Sequence, residues 1–112
     1  MKKNYRKAFP LLLEGARAGY IHAQNLVGYC YSCGLGTYED NELAVFWFAK
    51  AAKQGHNGAL YNLALCYEHG RGVEANVRKA FNLYLKAAEA GDRWAQCNLG
   101  VVISKVWERS KT

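Results

Sequence analysis

Small and apolar side chains recur at helical spacing along this chain, and the whole pattern repeats every 36 residues. Within each repeat, two stretches place apolar residues three and four positions apart, which predicts two amphipathic helices joined by short turns. The positions that keep the phase are Ala8/Ala44/Ala80, Gly19/Gly55/Gly91, Ala23/Ala59/Ala95 and Val27/Leu63/Leu99. Because such a unit buries its apolar face only against its neighbours, the period predicts stacked helix pairs.

The two helices of each repeat have different flanking residues. A first type of helix is predicted over 4–18, 40–54 and 76–90, and a second type over 22–33, 57–69 and 93–108. Asn4, Asp40 and Asn76 start the first-type stretches in one phase, and all three are good N-cap residues. Glycines follow the last turns, where a left-handed C-cap is favourable.

Two places depart from the repeat. Pro10 stands where the later copies have Phe46 and Asn82. Proline inside a helix removes a hydrogen bond and clashes with the preceding turn, so the first helix is expected to kink or to begin near Phe9. After Ile103 the glycine loop is missing, which predicts a longer terminal helix.

The second repeat resembles the Sel-one-like repeat, a relative of the tetratricopeptide repeat. The residues that carry the resemblance are Ala59, Leu63, Ala64, Tyr67, Gly70, Gly72, Val73, Lys79, Ala80, Tyr84, Lys86, Ala87, Ala88 and Gly91. The resemblance implies an all-α, right-handed α/α solenoid of about six antiparallel helices. Its phasing gives repeats 20–55 and 56–91 between half-repeats 4–19 and 92–112. It also implies a protein-interaction adaptor without catalytic activity.

Resemblance to tetratricopeptide arrays further implies that the second-type helices line a concave groove. The side chains beside their apolar stripe are then the candidate partner-binding residues: Asn25, Leu26, Tyr29, Tyr61, Asn62, Leu65, His69, Trp94, Cys97, Asn98 and Val101. Asn62 and Asn98 lie one period apart and either hold a peptide backbone or carboxylate or serve the hydrogen bonding of the repeat itself. Tyr61 and Trp94 are the stronger candidates, because large aromatics are rarely exposed without a use.

Four potential metal ligands supply an alternative function. Cys30 and Cys33 form C-x-x-C, and one period later Cys66 and His69 form C-x-x-H, so a metal-binding or redox-responsive regulator is conceivable. Against it, Cys30 and Cys66 occupy apolar repeat positions, where buried free cysteine is common. Neighbouring helices also lie about 8–10 Å apart, which is wide for a tetrahedral centre. We expect no metal and no cofactor.

Composition limits the classes of protein. The 112 residues can hold one domain, and a 51% hydrophobic content with 13% aromatics permits a packed core. No apolar run approaches the length of a membrane span, and the first 15 residues lack the apolar region of a signal peptide, so the cytoplasm is expected. No nucleophile stands with a recognisable base and orienting acid, so we expect no enzyme.

Charge bears on the partner. The net charge of +6 suits an acidic peptide or protein. Nucleic-acid binding is the weaker alternative, because it needs a stripe of cations with stacking aromatics, whereas Lys and Arg are scattered here. The last helix carries Val101, Val102, Val106 and Trp107, which predicts self-association through that helix.

Overall fold

The computed structural model describes residues 4–91, and these residues form five helices of 13 residues each. The helices are α1 (Tyr5–Arg17), α2 (Ile21–Cys33), α3 (Asn41–Lys53), α4 (Asn57–His69) and α5 (Val77–Glu89). Within this range no residue is in a strand, and each helix packs against the helices before and after it. This is the arrangement of an α/α solenoid, so the predicted fold class is confirmed. The sixth predicted helix lies outside the described residues.

Side chains at one repeat position start the first-type helices α1, α3 and α5. Oδ1 of Asn4, Asp40 and Asn76 accepts a hydrogen bond from the backbone N–H three residues later, at 3.2, 3.0 and 3.1 Å. These predicted N-caps are confirmed. Helix α4 has a different cap, because Nδ1 of His56 accepts from the N–H of Ala59 at 3.0 Å.

Pro10 lies inside α1, and the helix runs through it from Tyr5. The expectation that this helix begins only near Phe9 is therefore wrong, and a kink at Pro10 stays a prediction. Pro10 cannot donate to the carbonyl of Arg6, and both residues lie on the exposed side of the helix.

Two loops bring a glycine against the start of an earlier helix. Gly36 meets the carbonyl of Tyr5, and Gly72 meets the carbonyl of Asn41, both with φ of +73°. A Cβ atom on either glycine would overlap the carbonyl it touches. The loops that follow α2 and α4 are therefore tied to the starts of α1 and α3 by the same contact, once per period.

Buried side chains form two connected clusters. The first runs from α1 to α4 and contains Phe9, Tyr31 and Phe48. The second joins α4 to α5 around Tyr84, which is fully buried. The hydroxyl of Tyr84 donates to Glu68 at 2.8 Å, so the largest side chain of this cluster is also satisfied in hydrogen bonding. None of the helices in residues 4–91 is both long enough and apolar enough to span a lipid bilayer.

Candidate partner-binding surface

One face of α2 and the matching face of α4 carry most of the predicted partner-binding side chains. We refer to this surface as the α2–α4 face, and it consists of Asn25, Leu26, Tyr29, Tyr61, Asn62 and Leu65. His69 lies at the exposed end of the same stripe on α4. Trp94, Cys97, Asn98 and Val101 lie outside the described residues, as do the apolar residues predicted to mediate self-association.

A hydrogen bond between two asparagines joins the two helices at this face. Nδ2 of Asn62 donates to Oδ1 of Asn25 at 3.1 Å, and both residues are half-buried. Neither side chain makes another hydrogen bond with residues 4–91. Oδ1 of Asn62 can therefore accept a further hydrogen bond, and Nδ2 of Asn25 can donate one. One acceptor beside one donor matches the N–H and C=O of a peptide group.

The α2 half of the face is the more exposed half. Leu26 is 45% exposed and Tyr29 is 47% exposed, although both are large and largely apolar. The nearby Cys33 thiol, with a smaller contribution from burial, raises the pKa of the Tyr29 phenol, so the ring stays neutral at physiological pH. These two side chains present a contiguous apolar and aromatic surface one helical turn long.

The α4 half of the face is packed more tightly than the sequence suggested. The Tyr61 ring is half-buried and meets the Tyr84 ring edge to face, with centroids 5.8 Å apart. Leu65 also packs on the cluster around Tyr84. Tyr61 therefore packs against this core as a partly buried ring, so its side chain supports the fold as well as the α2–α4 face.

The α2–α4 face carries no charged side chain. Neither α2 nor α4 contains Lys or Arg, and the one carboxylate on them, Glu68, is 5% exposed. The nine Lys and Arg residues of 4–91 lie on the other helices and one loop: Arg6, Lys7, Arg17, Lys50, Lys53, Arg71, Arg78, Lys79 and Lys86. With seven acidic residues in the same range, this part of the chain has a net charge of +2.

The four potential metal ligands are not assembled. Cys30 and Cys66 are 2% and 5% exposed, whereas Cys33 and His69 lie on the surface. Within residues 4–91, no three His, Cys, Asp or Glu side chains lie close enough together to hold one ion. Burial raises the pKa of the Cys30 and Cys66 thiols, which keeps them protonated and poorly suited to metal ligation. Residues 4–91 therefore do not bring the four side chains of the metal-dependent alternative together.

A pair of imidazoles joins the starts of α2 and α4, and the repeat pattern did not predict it. Nε2 of His56 lies 3.0 Å from Nδ1 of His22, and the rings meet edge to face with centroids 4.8 Å apart. The two residues are 34 positions apart, so they do not share a repeat position, and a search for residues in phase does not pair them. The only available signal was that both precede the apolar stripe of a second-type helix.

Comparison with known families agrees with this architecture. The family model described as Sel1 repeat matches the chain three times, over residues 1–20, 21–56 and 58–92. The matches cover most of the sequence, so the chain belongs to the Sel1 repeat family, as the resemblance implied. Sel1 repeat proteins are generally protein–protein interaction modules and typically lack catalytic activity.

Solved structures share the fold. A protective antigen of uropathogenic Escherichia coli that displays an SLR fold is 32% identical with a TM-score of 0.88, over 91% of this chain and 22% of that protein. A Sel1 repeat protein from Oxalobacter formigenes is 39% identical with a TM-score of 0.83, over 88% of this chain and 39% of that one. Cysteine-rich protein B of Helicobacter pylori, at 23% identity and a TM-score of 0.77, covers 87% of this chain and 72% of its own and shows the fold alone. The chain spans less than half the length of the first two proteins.

Proposed function

We propose that this Sel1 repeat chain is a docking module that binds an extended segment of a partner protein on the α2–α4 face. The observation that carries the proposal is that two large exposed side chains, Leu26 and Tyr29, lie beside an asparagine pair that keeps one acceptor and one donor without a partner among residues 4–91. A docking surface needs apolar anchors for affinity and polar groups for alignment, and this face offers both.

The asparagine pair supplies alignment. A peptide group of the partner donates its N–H to Oδ1 of Asn62 and accepts from Nδ2 of Asn25. Because the Asn62–Asn25 hydrogen bond already holds both amides, little side-chain entropy is lost on binding. The side chains of the bound segment then lie against Leu26 and Tyr29, which supply the apolar contact.

The absence of charged side chains on the α2–α4 face limits which partner segments bind there. A face without Lys, Arg, Asp or Glu offers no ion pair to a charged residue, whose desolvation would then be uncompensated. We therefore propose an uncharged segment rich in apolar or aromatic residues. The acidic partner expected from net charge, or a nucleic acid, would instead meet the cations on α1, α3, α5 and the loop after α4.

A displayed library of random peptides, selected on the immobilised chain, tests the proposal. The selected peptides should be rich in apolar and aromatic residues, and calorimetry with one of them should show Tyr29→Ala binding about 30-fold more weakly, as for an anchor worth about 2 kcal/mol. Phe46→Ala is the matched control, because Phe46 is 49% exposed, nearly the same as Tyr29, but lies on α3. Its affinity should change less than about twofold.

Two results contradict the proposal. One is that Phe46→Ala weakens binding while Tyr29→Ala does not, which would move the site to the first-type helices. The other is that selection yields acidic peptides whose affinity is lost at high salt, which would make the exposed cations the site.

A further inference from the structure

We propose that His22 and His56 form a pH-sensitive lock between the first turns of α2 and α4. The lock is a chain of two hydrogen bonds. The N–H of Ala59 donates to Nδ1 of His56 at 3.0 Å, and Nε2 of His56 stands 3.0 Å from Nδ1 of His22. The chain ties the start of one second-type helix to the start of the next.

The first hydrogen bond fixes the tautomer of both rings. Nδ1 of His56 accepts from a backbone N–H, so it carries no proton, and the proton of the neutral ring is on Nε2. Nε2–H of His56 then donates to Nδ1 of His22, which must also be unprotonated. The lock therefore exists only while both imidazoles are neutral.

Protonation of either ring breaks one of the two hydrogen bonds. A proton on Nδ1 of His56 would face the N–H of Ala59, and the cap of α4 would be lost. A proton on Nδ1 of His22 would face Nε2–H of His56, and two donors would oppose each other. If both rings were charged, two cations would also repel across a centroid separation of 4.8 Å.

The surroundings offer no compensation for these charges. The helices that pack against α2 and α4 carry the following charged groups, together with Glu68 on α4 itself: Arg6, Lys7, Glu14 and Arg17 on α1, Glu42, Lys50 and Lys53 on α3, and Arg78, Lys79, Lys86 and Glu89 on α5. None of them forms an ion pair with His22 or His56 within residues 4–91. Burial first, and the neighbouring His22 second, lower the pKa of His56 from its ordinary value of 6.5.

The direction of the pH effect follows from that shift. In the unfolded chain His56 takes up a proton at its ordinary pKa near 6.5, whereas in the folded chain it does so only at lower pH. The unfolded state therefore binds more protons in between. The contribution of His56 to stability is complete above about pH 6.5 and is lost as the pH drops through the lowered pKa of the folded state. The asparagine pair lies three residues beyond His22 on α2 and six residues beyond His56 on α4, so the α2–α4 face loosens when the lock opens.

Thermal unfolding at about pH 7.5 and about pH 5.5 tests the lock on the isolated chain. We expect the wild-type midpoint to fall by roughly 4–8 °C, the shift that loss of one cap bond produces in a chain of this size. His56→Asn keeps a good N-cap but cannot titrate, so most of this fall should disappear. His69→Asn is the control, because it removes an exposed histidine from the other end of α4, where Nε2 lies 4.0 Å from a carboxylate oxygen of Glu68, and it should not reduce the fall.

An equal fall in His56→Asn and in the wild type would overturn the proposal. His22→Asn gives a second route if His56→Asn does not fold, since it retains the cap and should reduce the fall in part. Nitrogen-15 spectra of the imidazoles give an independent reading at neutral pH. They should show the Nε2-protonated tautomer of His56, and the Nδ1-protonated tautomer would refute the lock even if stability changed with pH.

Discussion

A Cβ atom on Gly28 of α2 would lie 2.6 Å from Cδ1 of Phe48 on α3. The backbone of α2 is thus in direct contact with an aromatic ring that is only 2% exposed. One period later, Ala64 and Tyr84 occupy the equivalent positions on α4 and α5. The residue at this position therefore limits how closely the two helices of a pair approach, and in the first pair glycine lets the Phe48 ring lie directly against the backbone of α2.

Gly28→Ala should destabilise the chain, although alanine favours a helix over glycine by about 1 kcal/mol. The added methyl has to displace the Phe48 ring in a packed core, so we expect a net loss of about 2 kcal/mol in the free energy of unfolding by urea. Gly15→Ala is the control, since its Cβ would lie 3.3 Å from the Cβ of Ala23 and 3.7 Å from Cδ2 of Tyr20, without the overlap found at Gly28. If both variants were more stable than the wild type, the Phe48 ring would be moving aside at little energetic cost, and the prediction would be wrong.

Two loop glycines distinguish the energetic cost of a left-handed backbone from the cost of a close contact. Gly55 and Gly72 both have left-handed φ, at +87° and +73°, but a Cβ on Gly55 has open space while one on Gly72 would overlap the carbonyl of Asn41. Gly55→Ala should cost about 1 kcal/mol from the left-handed conformation alone. Gly72→Ala should cost about 3 kcal/mol or more, because the loop must also leave α3. Equal costs by denaturant unfolding would mean that the contact contributes nothing.

Cysteine reactivity should follow burial. Alkylation of the folded chain at mildly alkaline pH, read by peptide mapping, should label Cys33 first, because Cys33 is exposed while Cys30 and Cys66 are buried. Burial raises the pKa of the two buried thiols above the ordinary value of 9.0, so the unfolded state loses these protons first. Their contribution to stability is therefore complete below pH 9.0 and is lost as the pH rises through the raised values. Labelling of Cys66 as fast as Cys33 would contradict the packing of α4.

The sequence predicted those features that repeat in phase. Asn4, Asp40 and Asn76 cap helices because each position needs the same local hydrogen bond, and a 36-residue period exposes that need directly. Contacts between repeats follow a different rule. Side chains on adjacent helices meet with a small offset along the axis, so the asparagine pair is 37 residues apart and the histidine pair 34.

Burial was harder to predict than helix position. Tyr61 occupies a position that the periodicity assigns to the edge of the apolar stripe, and only the Tyr84 ring on α5 reveals that it is packed. Pro10 shows the opposite case: an unfavourable residue lies inside α1 at an exposed position, and Arg6, whose carbonyl it cannot pair with, is exposed as well. Both outcomes depend on contacts with a neighbouring helix or on exposure to solvent. The sequence pattern of a single helix does not reveal either.

Because Tyr61 packs against Tyr84, a loss of binding in Tyr61→Ala does not by itself identify a binding residue of the α2–α4 face. Tyr61→Ala should weaken partner binding, but it should also lower the free energy of unfolding by about 2 kcal/mol, because the ring packs on Tyr84. Leu26→Ala separates the two effects, since Leu26 is 45% exposed and belongs to the opposite half of the face. It should weaken binding of a library-selected peptide by about tenfold while the free energy of unfolding changes by less than about 0.5 kcal/mol.

Reversal of a charge on α5 tests whether the first-type helices take part in binding. Arg78→Glu changes an exposed side chain on α5 without touching either half of the α2–α4 face, so peptide affinity should change less than about twofold. If Arg78→Glu abolishes binding and Leu26→Ala does not, the partner uses the first-type helices. In that case the solenoid remains as described, and the apolar side chains of α2 would need another explanation for their exposure. If Leu26→Ala alone weakens binding at unchanged stability, the uncharged face of α2 and α4 is the docking surface.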